Sequence, residues 1–178
     1  MRLPPLLLIC FALLAAASAR YQAAEYEIDS AYVIRFTGSG AEGTFRGLTG
    51  DIVFDPENLS AARMDVTVDA ATIATGNDLK DKHARGENWF DTAKYPTITY
   101  RANEFSRTES GFLANGTLTL HGVSRSKPLP FTFLQTADGG RFEGSMTVDR
   151  EAFGIEGPWL AFTVGDDFSV EIVVPVHQ

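Results

Sequence analysis

Along most of this chain apolar and polar residues alternate with the short period of β-strands. Residues 26–37 place Ile28, Tyr32, Ile34 and Phe36 on one face and Arg35 on the other, and residues 62–71 set Met64, Val66, Val68 and Ala70 against Asp65, Thr67 and Asp69. Similar runs occupy residues 45–54, 97–106, 111–120, 127–134, 141–150 and 167–176, so the pattern predicts eight strands. The connections are short and rich in turn residues, as in Thr108-Glu109-Ser110-Gly111 and Asp138-Gly139-Gly140, which makes consecutive strands hairpin neighbours. Strands with one dry and one wet face suit an antiparallel sandwich or a closed barrel, and closure removes exposed edges. The expected fold is all-β, an eight-stranded antiparallel up-and-down barrel.

Residues 75–100 interrupt the alternation between strands three and four. Asn77-Asp78 opens a short helical segment, in whose first turn a carboxylate suits the helix dipole, and Gly86 breaks it into a loop carrying Trp89 and Phe90. Tyr95-Pro96 restarts the sheet, a proline being tolerated at the first residue of a strand. A charged helical turn and an aromatic pair inserted into a sheet protein suggest that something is closed or gated there.

Residues 38–43 read G-S-G-A-E-G and match the dinucleotide fingerprint G-x-G-x-x-G, but a strand-like run follows where that fingerprint needs a helix N-terminus. They read as a hairpin turn.

Ahead of the first strand, Arg2 precedes an apolar run over residues 6–14, and Ala17-Ser18-Ala19 forms a small-residue cleavage pattern. Residues 1–19 therefore read as a secretory signal peptide, whose apolar run is too short to span a bilayer, and residues 20–178 as one mature domain. Cys10 lies within the apolar run, so the mature chain has no thiol and no disulfide framework. The net charge of −8 disfavours nucleic acid and anionic membrane surfaces as partners.

Candidate catalytic chemistry is sparse. The imidazoles are His83, His121 and His177, and none has a second ligand at metal-binding spacing on a supporting element. Asp81 and His83 come nearest, but residues two apart on a helix face away from each other. The sequence holds no G-x-S-x-G elbow, so the reading is a non-enzyme without metal or cofactor. The apolar stripe is the richer feature. Phe36, Phe54, Val66, Val68, Ile98, Tyr100, Leu118, Phe131, Phe133, Phe142, Met146, Val170 and Ile172 face inward, and eight strands are just wide enough either to be filled by such side chains or to hold one small ligand.

Asp81-Lys82-His83-x-Arg85, the run Trp89-Phe90-Asp91-Thr92-Ala93-Lys94-Tyr95-Pro96, Gly116-x-Leu118-Thr119-Leu120-x-Gly122-Val123, Arg150-x-x-Phe153-Gly154-Ile155 and Val164-Gly165-Asp166 together resemble the YceI-like family. The resemblance spans nearly the whole mature chain. It implies a lipocalin-like barrel in the periplasm with one short helix and loop between strands three and four, whose open lumen holds a long isoprenoid or other amphiphile such as a polyisoprenoid quinone or polyprenyl phosphate. Carriage, storage or stress protection would be its role, a homodimer is compatible with it, and a solid-core interaction module is the alternative. The lumen would be lined by the stripe with Trp89 and Phe90, and Lys80, Lys82, Arg85 and Lys94 would meet a phosphate head group at the rim. The chain departs from the family pattern in carrying Ser30-Ala31-Tyr32 where a histidine is frequent, Ala84 where a leucine is usual, and a longer connection over Ser124-Arg125-Ser126-Lys127-Pro128.

Overall fold

The computed structural model describes residues 24–157 and 163–178, and the expected signal peptide lies outside the described residues. Among the described residues nine strands form one sheet: β1 (Ala24–Ile28), β2 (Val33–Gly38), β3 (Ala41–Phe54), β4 (Arg63–Ala74), β5 (Thr97–Thr108), β6 (Gly111–Leu120), β7 (Val123–Thr136), β8 (Gly139–Asp149) and β9 (Asp167–His177). β1 and β2 both lie between β3 and β9, antiparallel to each, so they act as one stave broken at Asp29, whose carboxylate accepts from the Ala31 amide at 2.8 Å. Counted by staves, the barrel is eight-stranded, antiparallel and closed, with every strand beside its sequence neighbour and β9 returning to β1 and β2.

The connections sort the barrel into two ends. At one end lie the β2–β3 hairpin, helix α1 (Asp78–Ala84), the β6–β7 hairpin and the described residues between β8 and β9. The other end carries the start of β1, the β3–β4 connection, the β5–β6 and β7–β8 hairpins and the C-terminus. The G-x-G-x-x-G look-alike is the tight β2–β3 hairpin, as its context required: Gly38 pairs with Ala41 across the turn.

The residues expected to form a longer connection after His121 are strand instead. β7 pairs with β6 from Leu120↔Val123 onward, and the turn is made by His121 and Gly122, both at positive φ (51° and 74°), the backbone signature of a tight hairpin. The alternation that would have marked residues 123–127 as strand is hidden by Ser124, Arg125 and Ser126, all exposed. β7 meets β8 only from Phe131↔Gly144 to Thr136↔Gly139. Above that point Pro128 and Pro130 offer no amide donors, and the seam is bridged by the short 3₁₀ turn Glu151–Phe153: Phe153 is buried, its carbonyl lies 3.3 Å from His121 Nδ1, and Arg125 bonds the Ala152 carbonyl.

Candidate functional site

Side chains fill the barrel unevenly. At the end away from α1, Phe54 is 0% exposed and sits among five other phenylalanines, with ring centroids 5.1 Å from Phe112, 5.3 Å from Phe133, 5.4 Å from Phe131, 5.5 Å from Phe142 and 6.2 Å from Phe105. Most of these pairs meet edge to face, the arrangement that matches negative ring faces to positive edges. Tyr26 closes the cluster against Phe133 at 5.6 Å. This end is an aromatic plug.

Towards α1 the lumen is hollow. A cavity of about 450 Å³ lies above the plug, within the range of small-molecule sites. Phe131 and Phe142 belong to both the plug and the cavity, and so form its floor. Its walls are aliphatic: Val66 and Val68 of β4, Ile98 of β5, Leu118 of β6, Met146 of β8, and Val170 and Ile172 of β9. Phe36, Phe45 and Phe90 ring its upper part, with centroids 5.4 Å apart for Phe36 and Phe45 and 5.6 Å for Phe45 and Phe90. The two ways of occupying such a barrel, filled and open, thus occur one above the other.

Tyr100 brings the one phenol into this wall. Its hydroxyl lies 3.0 Å from the carbonyls of Ala114 and Lys127, and burial pushes its pKa up to about 12. The ring lies where a side chain on Gly116 would be, since a Cβ there would come within 2.4 Å of its Cζ. A glycine in mid-strand therefore makes room for a tyrosine that is spent on the backbone.

The mouth is built by α1 and the loop after it. Asn77 caps the helix, its side chain accepting from the amides of Leu79 and Lys80, and the Asp81 carboxylate takes both the amide (2.7 Å) and the hydroxyl (2.6 Å) of Thr75. Those bonds hold the Asp81 pKa below the usual carboxylate value and tie α1 to the end of β4. The loop folds on itself through Phe90 N to Ala84 O (3.0 Å) and Tyr95 N to Asp91 O (2.8 Å). It then crosses to the far hairpin, where Tyr95 packs edge-on against His121 at 4.5 Å. Trp89 and Phe90 line the cavity from this loop, beside Ala84.

Arg150, at the top of β8, is the charged group in the cavity wall that matters most for this architecture. It is 8% exposed, yet its guanidinium donates to Asp166 Oδ1 (2.7 Å) and to the carbonyls of Ile155 (2.5 Å), Gly165 (3.1 Å) and Val164 (3.4 Å), and it lies 5.6 Å from the Trp89 ring. Its planar fork satisfies several acceptors at once and so binds both sides of the β8–β9 connection to the mouth. Sequence reasoning noted Arg150 in a motif but gave it no role; a signal was available in Asp166 preceding β9, a carboxylate flanking an apolar strand.

Of the expected lumen residues, Phe54 and Phe133 do not reach the cavity: they stand behind its floor in the plug. Of the expected rim cations only Lys80 borders the cavity. Lys82 is exposed, Arg85 turns to the carbonyls of Ala71 and Ile73, and the Lys94 ammonium lies 5.0 Å from the Tyr95 ring. Helical spacing explains the sorting, since Lys80, His83 and Ala84 share the face turned to the cavity and Lys82 does not. A smaller hollow of about 310 Å³ joins the mouth between the β2–β3 hairpin and α1, lined by Gly38, Gly40, Ala41, Glu42, Thr75 and Lys80. Among the described residues no group of three or more His, Cys, Asp or Glu stands close enough to hold a metal ion.

Known proteins share this architecture. Burkholderia cenocepacia BcnA superposes with a TM-score of 0.78 at 22% identity, covering 85% of this chain and all (100%) of that one. The Campylobacter jejuni YCEI protein gives 0.70 at 26% identity, covering 80% of this chain and 87% of that one. A polyisoprenoid binding domain from Saccharophagus degradans, implicated in plant cell wall breakdown, gives 0.65 at 17% identity, covering 88% and 99% of the two chains. In sequence, the UPF0312 protein of Yersinia pestis (strain Pestoides F) is 31% identical over 140 residues, 74% of this chain and 72% of its own. The YceI-like domain profile matches residues 23–176, and the chain belongs to the YceI-like family.

Proposed function

We propose that this protein binds the apolar chain of an amphiphile in its lumen and shields it from water, for carriage or storage. The observation that carries this reading is the cavity of about 450 Å³, apolar along its walls, floored by Phe131 and Phe142 and bordered at the α1 end by Thr75, Lys80 and His83. Each five-carbon isoprene unit moved from water into such a wall contributes roughly 4 kcal/mol gross, so a few units offset an association cost of about 4–15 kcal/mol. The polar head would rest in the smaller hollow, where Lys80 and Thr75 offer donors and Glu42 an acceptor. An isoprenoid tail is supported by the fold shared with the Saccharophagus degradans polyisoprenoid binding domain. The leader-like residues 1–19 and family membership support an exported, periplasmic protein.

Binding rather than turnover fits the cavity chemistry. Tyr100, the most deeply placed hydroxyl, is engaged with two carbonyls, and Arg150 is saturated by its own loop. Organic extraction of the protein purified from its native envelope, followed by mass spectrometry, tests the proposal. One amphiphile per chain is expected; a protein that carries no lipid and takes up none when exposed to its own envelope extract would refute it.

A further inference from the structure

We infer that the apolar chain enclosed by this barrel is short, about fifteen to twenty carbons, because the aromatic plug closes the lumen at the end away from α1 and bounds a cavity of about 450 Å³. The inference rests on the binding role proposed above and concerns which ligands that same site takes. A dry cavity of about 150 Å³ accommodates benzene, which sets a working allowance of about 25 Å³ per carbon. At that allowance the cavity of about 450 Å³ is full at about eighteen carbons, between three and four isoprene units.

Nothing in the floor offers a way past this limit. Phe131 and Phe142 are each backed by Phe54 at 5.4 and 5.5 Å, and Phe54 has no exposed surface. Phe142 also packs at a tilt against Phe133 at 4.5 Å, and Phe133 meets Tyr26, so a second layer of rings lies under the first. A chain cannot thread through to the opposite end, and the hollow has no spare volume in which a longer one could double back. The surplus of a longer chain must therefore stay at the α1 end, between Trp89, Phe90 and the polar hollow by Lys80, where it returns to water and adds little affinity.

The test is a competition series on the full mature chain stripped of lipid, with all-trans prenols of about two to eight isoprene units displacing a fluorescent fatty-acid probe. Affinity is expected to climb by at least about tenfold per unit up to three or four units and then to level, with an eight-unit prenol within about threefold of a four-unit one. Continued tightening by more than about tenfold between four and eight units would overturn the length limit and leave the binding role standing, whereas no binding at any length would overturn both. Phe131→Ala should move the plateau up by about one isoprene unit, since the ring it removes occupies about the space of one. Phe142→Leu is the milder variant should that one not fold, with a smaller shift in the same direction. A plateau unmoved in a folded floor variant would show that the rings do not set the limit.

Discussion

Replacing Arg150 with methionine isolates what a buried guanidinium does at the mouth of this barrel. Methionine matches the arginine stem as far as about Nε and carries no charge, so it keeps the stem's packing and removes the guanidinium with its bonds and its contact with the Trp89 ring. The wild-type group makes four: one to the Asp166 carboxylate and three to the carbonyls of Ile155, Val164 and Gly165. Bonds from a charged donor contribute about 1.5–3 kcal/mol each, but the variant is also relieved of burying the guanidinium, and water reaches part of the loop it leaves. Asp166 is 55% exposed and rehydrates when its partner goes, so no stranded buried charge adds to the cost. The net loss is expected at about 2–4 kcal/mol, a large fraction of the roughly 5–15 kcal/mol available to a domain but not enough to unfold it. Urea denaturation followed by far-ultraviolet circular dichroism reads it directly. Asp166→Asn, which spares the three carbonyl bonds, should cost at least about 1 kcal/mol less. The reasoning fails if Arg150→Met lies within about 0.5 kcal/mol of the wild type, or if Asp166→Asn is as damaging, because then the carbonyl bonds would not be what holds the connection.

Three further outcomes are expected. Val68→Glu, which puts a carboxylate on the cavity wall, should abolish ligand loading while the outward-facing Thr67→Glu leaves it intact; equal loading in folded samples of both would mean the wrong face has been assigned. Trp89→Ala should raise the rate of ligand loss, read by dilution into vesicles, far more than it lowers the melting temperature, since Trp89 belongs to the loop over the mouth and is only partly buried; the reverse ranking would make it ordinary core. Tyr100 is protonated in the folded protein up to about pH 12, above the value of about 10 in the unfolded chain, so its contribution to stability is complete below pH 10 and is lost as the pH rises towards about 12. Ultraviolet titration of the phenolate in wild type and Tyr100→Phe checks this; a Tyr100 component ionising near pH 10 in the folded protein would contradict it.

The strands, their order and the helix with its aromatic loop were legible in the sequence because each depends on local pattern. Alternation gives the inward face of a strand, as it did for Val66, Val68, Val170 and Ile172, which all reach the cavity. It does not give height along the barrel axis. Phe131 and Phe133 have the same parity on β7, yet one floors the cavity and the other is packed beneath it, because height depends on the stagger between strands set by long-range register. The same gap hid contributors such as Ile34, Ile52 and Val148, which carry no local mark separating cavity wall from plug. On α1 the helical period was present in the sequence and would have separated Lys80 from Lys82. Arg150 was hidden for another reason: its partners are mostly backbone carbonyls, which leave no trace in side-chain identity.

That the hollow lumen above the plug holds an apolar chain is tested most directly by locating one there. Intermolecular nuclear Overhauser effects between a ¹³C-labelled prenol of about three isoprene units and the protein's methyl groups would do so. The account predicts contacts to Val68, Val170 and Ile172, which line the cavity, and none to Leu134, which is 59% exposed outside it. Contacts to Leu134 with silence from the three cavity residues would contradict it.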